Sequence, residues 1–328
     1  LKFIVTGGAG FIGHNVVKIL QELGHECFIM DNLTDYGFIP KAELEYLLVN
    51  RYKRINNHIY NTDICDYEKV DEFFRTFSNQ TDAVIHLASF PRQKVVNQNP
   101  LVGSEVMSTG LMNLLEKTKM YKIKKFVYIS SSMVYGDFDN DVDETAQCTP
   151  QGQYGILKYA GELLVKDYAR NGYFDYSIIR PSAVYGEWDV EDRVVSKFML
   201  SAMQDKVLKV KGSSEVLDFS YVEDTAKGIA LAAINTAANN KIYNITKSDK
   251  KLYTLLDAAK LAIQIAGKGS YEILDKDKDF PSRGRLSIAR AQSDLGFNPQ
   301  VNVEEGFNRY HRWFSSSAYW QKKINDTV

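Results

Sequence analysis

Cysteine is scarce and scattered in this chain: three residues in 328, at positions 27, 65 and 148, with no Cys-x-x-Cys pair. That excludes a disulfide framework and leaves no thiolate set for zinc, so isolated reduced thiols and a cytoplasmic compartment are expected. The five histidines, at 14, 25, 58, 86 and 311, do not cluster, and no metal site is predicted. No apolar run reaches the roughly 18 residues that cross a bilayer, and no secretory signal precedes the first strand. An excess of one charge is also missing. With 40 Lys and Arg against 41 Asp and Glu, neither nucleic acid nor a membrane surface is expected as a partner. Internal repeats and low-complexity linkers are lacking too, which argues against a string of independent modules.

Glycine is present where it carries information. Lys2-Phe3-Ile4-Val5 reads as a short buried strand, and Thr6-Gly7-Gly8-Ala9-Gly10-Phe11-Ile12-Gly13 follows it and opens a helix of apolar residues at helical spacing. Such glycines let the backbone turn sharply and bring bare N–H groups to a ligand, while the helix N-terminus offers partial positive charge to a pyrophosphate. Residues 26–30 form a second strand that ends in Asp31, 18 residues beyond Gly13. A carboxylate there accepts from a ribose diol and repels a 2′-phosphate, and Asn32 to Asp35 supply no arginine to offset it. NAD is therefore favoured over NADP.

Strand-like runs at 2–5, 26–30, 58–61, 83–87, 125–130 and 176–180 alternate with helical periodicity over 67–77, 101–118 and 153–171. This is the α/β pattern of a parallel sheet. The fold class expected is a Rossmann-type doubly wound sheet with a smaller, interleaved C-terminal lobe. The first unit runs over 1–181 with a return segment at 219–246, including a strand at 241–245. The second takes 182–218 and 247–328, with 186–218 irregular, an amphipathic helix over 252–267, a strand and charged loop over 273–286, and a polar tail after Trp313.

Tyr154-Gly155-Ile156-Leu157-Lys158 sets a tyrosine and a lysine one helical turn apart. A nearby ammonium favours the phenolate, fitting the tyrosine to accept a hydroxyl proton. Ser130-Ser131-Ser132 ends the fifth strand, where an open parallel sheet places its ligands.

These motifs, with Asp63, His86-Leu87-Ala88, Arg180-Pro181 and Val184-Tyr185-Gly186 in the same order, resemble the extended short-chain dehydrogenases, and within them the nucleotide-sugar epimerase/dehydratase group. The resemblance implies a tightly held NAD, transient oxidation of a sugar carbon, and Ser131, Tyr154 and Lys158 as the catalytic set. It implies Gly7, Gly10, Phe11, Ile12 and Gly13 at the pyrophosphate, and Asp31 with Asn32 at the adenosine ribose. Asp63 and Ile64 would meet the adenine, and Leu87, Ala88, Ser89 and Pro181 would lie along the cofactor, with Tyr154 and Lys158 also against it, the lysine on the nicotinamide ribose. A homodimer through the helices near 101–118 and 153–171 is implied as well.

Departures narrow the reaction. Dehydratases and decarboxylases of the group carry an acid directly after the catalytic Ser or Thr, whereas this chain has Ser132-Met133-Val134-Tyr135-Gly136. A 4-epimerase needs none, and a nucleotide-diphosphate sugar, by default a UDP-sugar, is the expected substrate. A dehydrogenase, or an NAD-sensing protein without turnover, stays open. An Asn frequent in relatives is replaced by Met107, and an Arg frequent before Asp-Phe by Leu217. Arg283 with Arg285 is the candidate clamp on the diphosphate. Arg92 with Lys94, Arg193 and Ser132 are further substrate candidates.

Overall fold

The computed structural model describes residues 1–55, 57–276, 278 and 280–325; parts of the 273–286 loop and the last three residues of the tail lie outside this set. At its centre is a seven-stranded, wholly parallel sheet. Its strands are β1 (Lys2–Thr6), β2 (Glu26–Asp31), β3 (Ile59–Asn61), β4 (Ala83–His86), β5 (Lys125–Ile129), β6 (Asp175–Pro181) and a seventh, Lys241–Ile245. Across the sheet the order is seventh, β6, β5, β4, β1, β2, β3. The order in which successive strands are added reverses between β1 and β4, which remain parallel, and a crevice opens there beyond the strand ends.

Helices cover both faces, so the strands are near-continuous apolar runs. Alternate residues feed opposite cores. Phe3, Val5 and Ile29 pack with Val16, Val17 and Leu20 of the helix Phe11–Glu22 and with Ala226, Ile229 and Ala233 of Val222–Ile234. Ile4, Met30, Val84 and Phe126 face Phe73, Phe74, Leu111 and Leu114 on the other side.

The strand expectations of the first unit hold to within one or two residues and 241–245 is met at both ends, whereas the strand expected to open at 273 runs earlier, over Ser270–Leu274. The helix expected over 101–118 is interrupted. Pro100–Ser104 and Gly110–Met120 are joined by a π turn over Glu105–Thr109, one that periodicity alone does not register.

The smaller lobe departs furthest from expectation. Instead of an irregular 186–218, the chain forms the helix Val194–Met203, the strand Val207–Lys211 and the short strand Val216–Leu217. Val207–Lys211 pairs in parallel with Ser270–Leu274, and Val216–Leu217 pairs antiparallel with Tyr253–Thr254. The helix Leu255–Ala266 starts at a capping box of Thr254 and Asp257 and stops at Gly267 in the left-handed region. The polar-looking tail makes two helices, Val303–Ser316 and Ala318–Asn325, which bury Trp313, Phe314 and Trp320. An unanticipated helix, Lys41–Ile55, adds Leu47 to this lobe's core.

Candidate functional site

A cleft of about 1100 Å³ lies beyond the strand ends, between the sheet and the smaller lobe. Its sheet-side wall is made largely of backbone. Gly7 has φ +72°, and a Cβ there would stand 2.5 Å from the Ala88 nitrogen; at Gly13 it would stand 2.0 Å from the Gly7 carbonyl oxygen. Only glycine lets the first strand, the turn and the helix start approach this closely.

Asp31 closes the turn. Its two carboxylate oxygens accept from the Ala9 and Leu33 N–H groups, each at 2.9 Å. Burial pushes its carboxyl above the usual range, opposed by those bonds and by the charge of Arg51. Gly7, Gly10, Phe11, Ile12, Gly13, Asp31, Asn32, Ile64, Leu87, Ala88, Ser89 and Pro181 all line the cleft. Asp63 is not among the lining residues; it accepts from Asn32 Nδ2 (3.0 Å) and from the Cys65 N–H (2.8 Å), and Thr62 and Ile64 face the cavity beside it. The close-packed glycine turn, the acid ending β2 and the cleft volume fit NAD.

Ser131, Ser132, Tyr154 and Lys158 line the cleft floor. Ser131 caps the turn Ser132–Tyr135, its Oγ accepting from the Met133 N–H at 3.2 Å. Tyr154 and Lys158 project from the helix Gly152–Arg170. Burial raises the Tyr154 phenol, while the charge of Arg193 and a hydrogen bond with Ser131 pull it back. Lys158 Nζ donates to the Ile129 carbonyl at 2.8 Å and stands 5.9 Å from the Tyr154 ring centre. Burial brings the lysine down to about 7, against the raising influence of Glu162.

Glu162 is fully buried and accepts from Ser130 Oγ (2.6 Å) and from Arg180 Nε and Nη2 (2.8 and 2.6 Å). Ser130 is therefore framework, as is His86, whose Nδ1 meets Thr6 Oγ1 at 2.8 Å. Met107 is buried and does not line the cleft.

Long side chains build the opposite wall. Arg92 has φ +59° and ψ 152°, a conformation that costs on the order of 1–3 kcal/mol in a non-glycine residue. Its guanidinium donates to the Asp192 carbonyl (2.6 Å) and pairs with the Asp192 carboxylate (2.7 Å). Arg193 Nε is 3.7 Å from Asp189 Oδ1. Lys94 is exposed on the same wall. Arg283 lines the cleft too; burial lowers it to about 10, with Glu215 opposing. Arg285 does not join it in a clamp, because it is turned away onto both carboxylate oxygens of Asp141 at 2.8 and 2.7 Å.

Sequence reasoning missed Arg51 on the helix Lys41–Ile55. It is buried, donates to the Ala9 carbonyl (3.3 Å) and to the Trp188 carbonyl (3.1 and 2.6 Å), and so ties the glycine turn to the 186–193 loop. Only the spacing of Leu44, Leu47, Leu48 and Ile55 hinted at its helix. Among the described residues no cluster of three or more His, Cys, Asp or Glu is placed to hold a metal, and no helix is long and apolar enough to cross a membrane.

Comparison with known proteins agrees with this geometry. The NAD dependent epimerase/dehydratase family matches residues 3–246. A putative UDP-glucose 4-epimerase of Methanocaldococcus jannaschii is 33% identical over 96% of this chain and 98% of its own length. A UDP-glucuronate 4-epimerase of Thermodesulfobacterium geofontis is 29% identical over 98% of each chain. The crystal structure of Thermus thermophilus UDP-glucose 4-epimerase with NAD superposes with a TM-score of 0.83 at 26% identity, covering 97% of this chain and 100% of that one.

Proposed function

This chain belongs to the NAD dependent epimerase/dehydratase family, and within it we propose that it epimerises a nucleotide-diphosphate sugar at C4 through a 4-keto intermediate. The observation that carries this reading is a single cleft floor lined by Ser131, Tyr154 and Lys158, in a chain whose 132–136 segment offers no carboxylate. An elimination or decarboxylation must move a second proton, and that segment lacks the group to do so. Inversion at one carbon is redox-neutral and needs one proton acceptor that later returns the proton.

In this reading Tyr154 takes the C4 hydroxyl proton and Ser131 holds the sugar oxygen as it becomes a carbonyl. Lys158 positions the nicotinamide ribose and, with Arg193, favours the phenolate. NAD, held by the sheet-side residues, would supply the hydride acceptor and donor, and the keto-sugar would turn over between the two transfers to take the hydride on its other face. The sheet-side residues from Gly7 to Gly13, with Asp31, Asn32, Asp63, Ile64, Leu87 to Ser89 and Pro181, serve the cofactor. Arg283 serves the diphosphate of a UDP-sugar, with Arg92, Ser132 and Arg193 nearer the sugar. The unit of 1–181 and 219–246 is then the cofactor lobe and the remainder the substrate lobe.

We further place the protein in the cytoplasm, consistent with three free cysteines, as a homodimer. Exposed Leu101, Val102, Ile156 and Leu163 on the helices Pro100–Ser104 and Gly152–Arg170 supply the apolar surface for it.

Incubation of the NAD-loaded protein with UDP-, GDP-, CDP- and dTDP-sugars in heavy water, followed by NMR, tests the reaction. The expected product is a C4 epimer without solvent deuterium. Deuterium at a neighbouring carbon would instead indicate enolisation, and no product from any sugar would remove the epimerase assignment.

A further inference from the structure

The helix Gly152–Arg170 is stitched to the end of β5 at successive residues. Tyr128 and Ser130 point to the same face of the strand, and both meet the helix. The Tyr128 hydroxyl donates to the Lys158 carbonyl at 3.4 Å, the Ile129 carbonyl accepts from Lys158 Nζ at 2.8 Å, and Ser130 Oγ donates to Glu162 at 2.6 Å. Ser131 comes next and bonds Tyr154. Gly161 permits this close approach, because a Cβ there would stand 2.2 Å from the Tyr128 hydroxyl oxygen.

Tyr154, Lys158 and Glu162 are spaced four residues apart and follow one another along one side of the helix. The two oxygens of Glu162 take three donors, Ser130 Oγ and Arg180 Nε and Nη2, so it accepts throughout, as a carboxylate does. Arg180 comes from β6 and lies 4.7 Å from the Tyr135 ring centre, so the acid is fixed from two strands at once. A buried ion pair gains little stability over an apolar pair of the same volume. What it does supply is a fixed negative charge, and this one stands a single turn beyond Lys158.

That charge has a use there. Burial has brought the Lys158 ammonium down to about 7, and Glu162 is the acid that opposes the fall. The other groups facing the lysine carry no full negative charge in the resting site. His86 of β4 is neutral, held at about 3 by burial, and Tyr128 and Tyr154 present their rings at 5.3 and 5.9 Å. Around Glu162 itself stand Lys166 on the same helix at 4.0 Å, Tyr128 of β5, and Arg180 with Tyr176 of β6. Cys148 faces it from the loop before the helix, and burial raises both that thiol and the Tyr128 phenol.

We propose that Glu162, held by Ser130 and Arg180, is a positioning residue for the reacting set: it seats the helix of Tyr154 and Lys158 on the end of β5 and is the fixed counter-charge of the Lys158 ammonium. The inference rests on the roles given to Ser131, Tyr154 and Lys158 above and adds the group behind them.

The lysine is titrated directly by NMR of the NAD-loaded full chain, isotope-labelled at lysine Cε, with Lys158→Met assigning its signal. Glu162→Gln should move the midpoint of that titration down by about 1 pH unit or more. Because this change strands the Arg180 guanidinium in the interior, the titration is also run on Glu162→Gln/Arg180→Met, where no member of the pair is left alone. The lowered midpoint is expected there too, and a wild-type midpoint in the double variant would overturn the proposal. Ser130→Ala keeps the charge and loosens the seat. Lys158 should then titrate as in the wild type, while kcat for the nucleotide sugar falls about 3- to 10-fold at unchanged KM. An unchanged kcat in that variant would overturn the seating role. The titration needs no sugar and is therefore independent of the epimerase reading. Turnover of no nucleotide sugar by the wild type would strike that reading, and the seating role with it, while the counter-charge is judged by the titration alone.

Discussion

The two walls of the cleft are made differently. The sheet-side wall is built around one contiguous stretch, residues 6–13, joined by residues at the ends of neighbouring strands, and that stretch works through backbone: N–H groups, a positive φ at Gly7 and approaches too tight for a Cβ. The opposite wall comes from segments far apart in sequence, around residues 51, 92, 189–193 and 283, and works through long charged side chains. A backbone cradle fixes a ligand group common to many proteins. A side-chain wall can be exchanged residue by residue, so it is where substrate choice within one fold is expected to vary.

The largest expected effect lies on the floor the walls share. Tyr154→Phe should lower kcat by about 10²- to 10⁴-fold and leave NAD retained, because the cradle does not use the phenol. Loss of cofactor in that variant would show that the two functions are not separable. Arg51→Met attacks the bond between the walls. It strands the Ala9 and Trp188 carbonyls and unbalances Asp189, at an expected cost of about 3 kcal/mol in urea unfolding. NAD and substrate affinity should weaken together in this variant, and weakening of only one would show that the walls are independent.

A smaller effect isolates the sheet side. His86 is buried and held near pKa 3 by desolvation, with the charge of Lys158 adding to it. The unfolded chain therefore takes up the His86 proton first as pH falls below about 6.5, and native stability declines from there toward pH 3. Between pH 7 and 5.5 this contributes about 1 kcal/mol, and His86→Asn should reduce the pH slope of unfolding by that amount.

Legibility in the sequence follows the same division. The glycine turn, Asp31 and the tyrosine–lysine spacing are local patterns, and the buried strands are apolar runs whatever surrounds them, so their positions were readable. The helix Val194–Met203 was not. Its partners, the helix Leu255–Ala266 and Phe307, Tyr310 and Phe314, lie more than fifty residues away, and its arginine N-cap gives no start signal. Arg285 looked equivalent to Arg283 because sequence does not reveal that Asp141 captures one and not the other. That Asp63 ties Asn32 to the Cys65 N–H while its neighbours Thr62 and Ile64 line the cleft is equally invisible in the sequence.

The contact between Tyr46 and the last helix bears on how the protein is made. Tyr46 stacks on Tyr319 with ring centres 4.4 Å apart, and its hydroxyl meets Ser317 Oγ at 2.7 Å, across 271 residues. The helix that carries Arg51 therefore gains its final support only after residue 320 has left the ribosome, whereas the glycine turn and its helix have their partners, Ala88 and the helix Val222–Ile234, earlier in synthesis. A nascent chain would complete its nucleotide cradle before it completes the wall opposite.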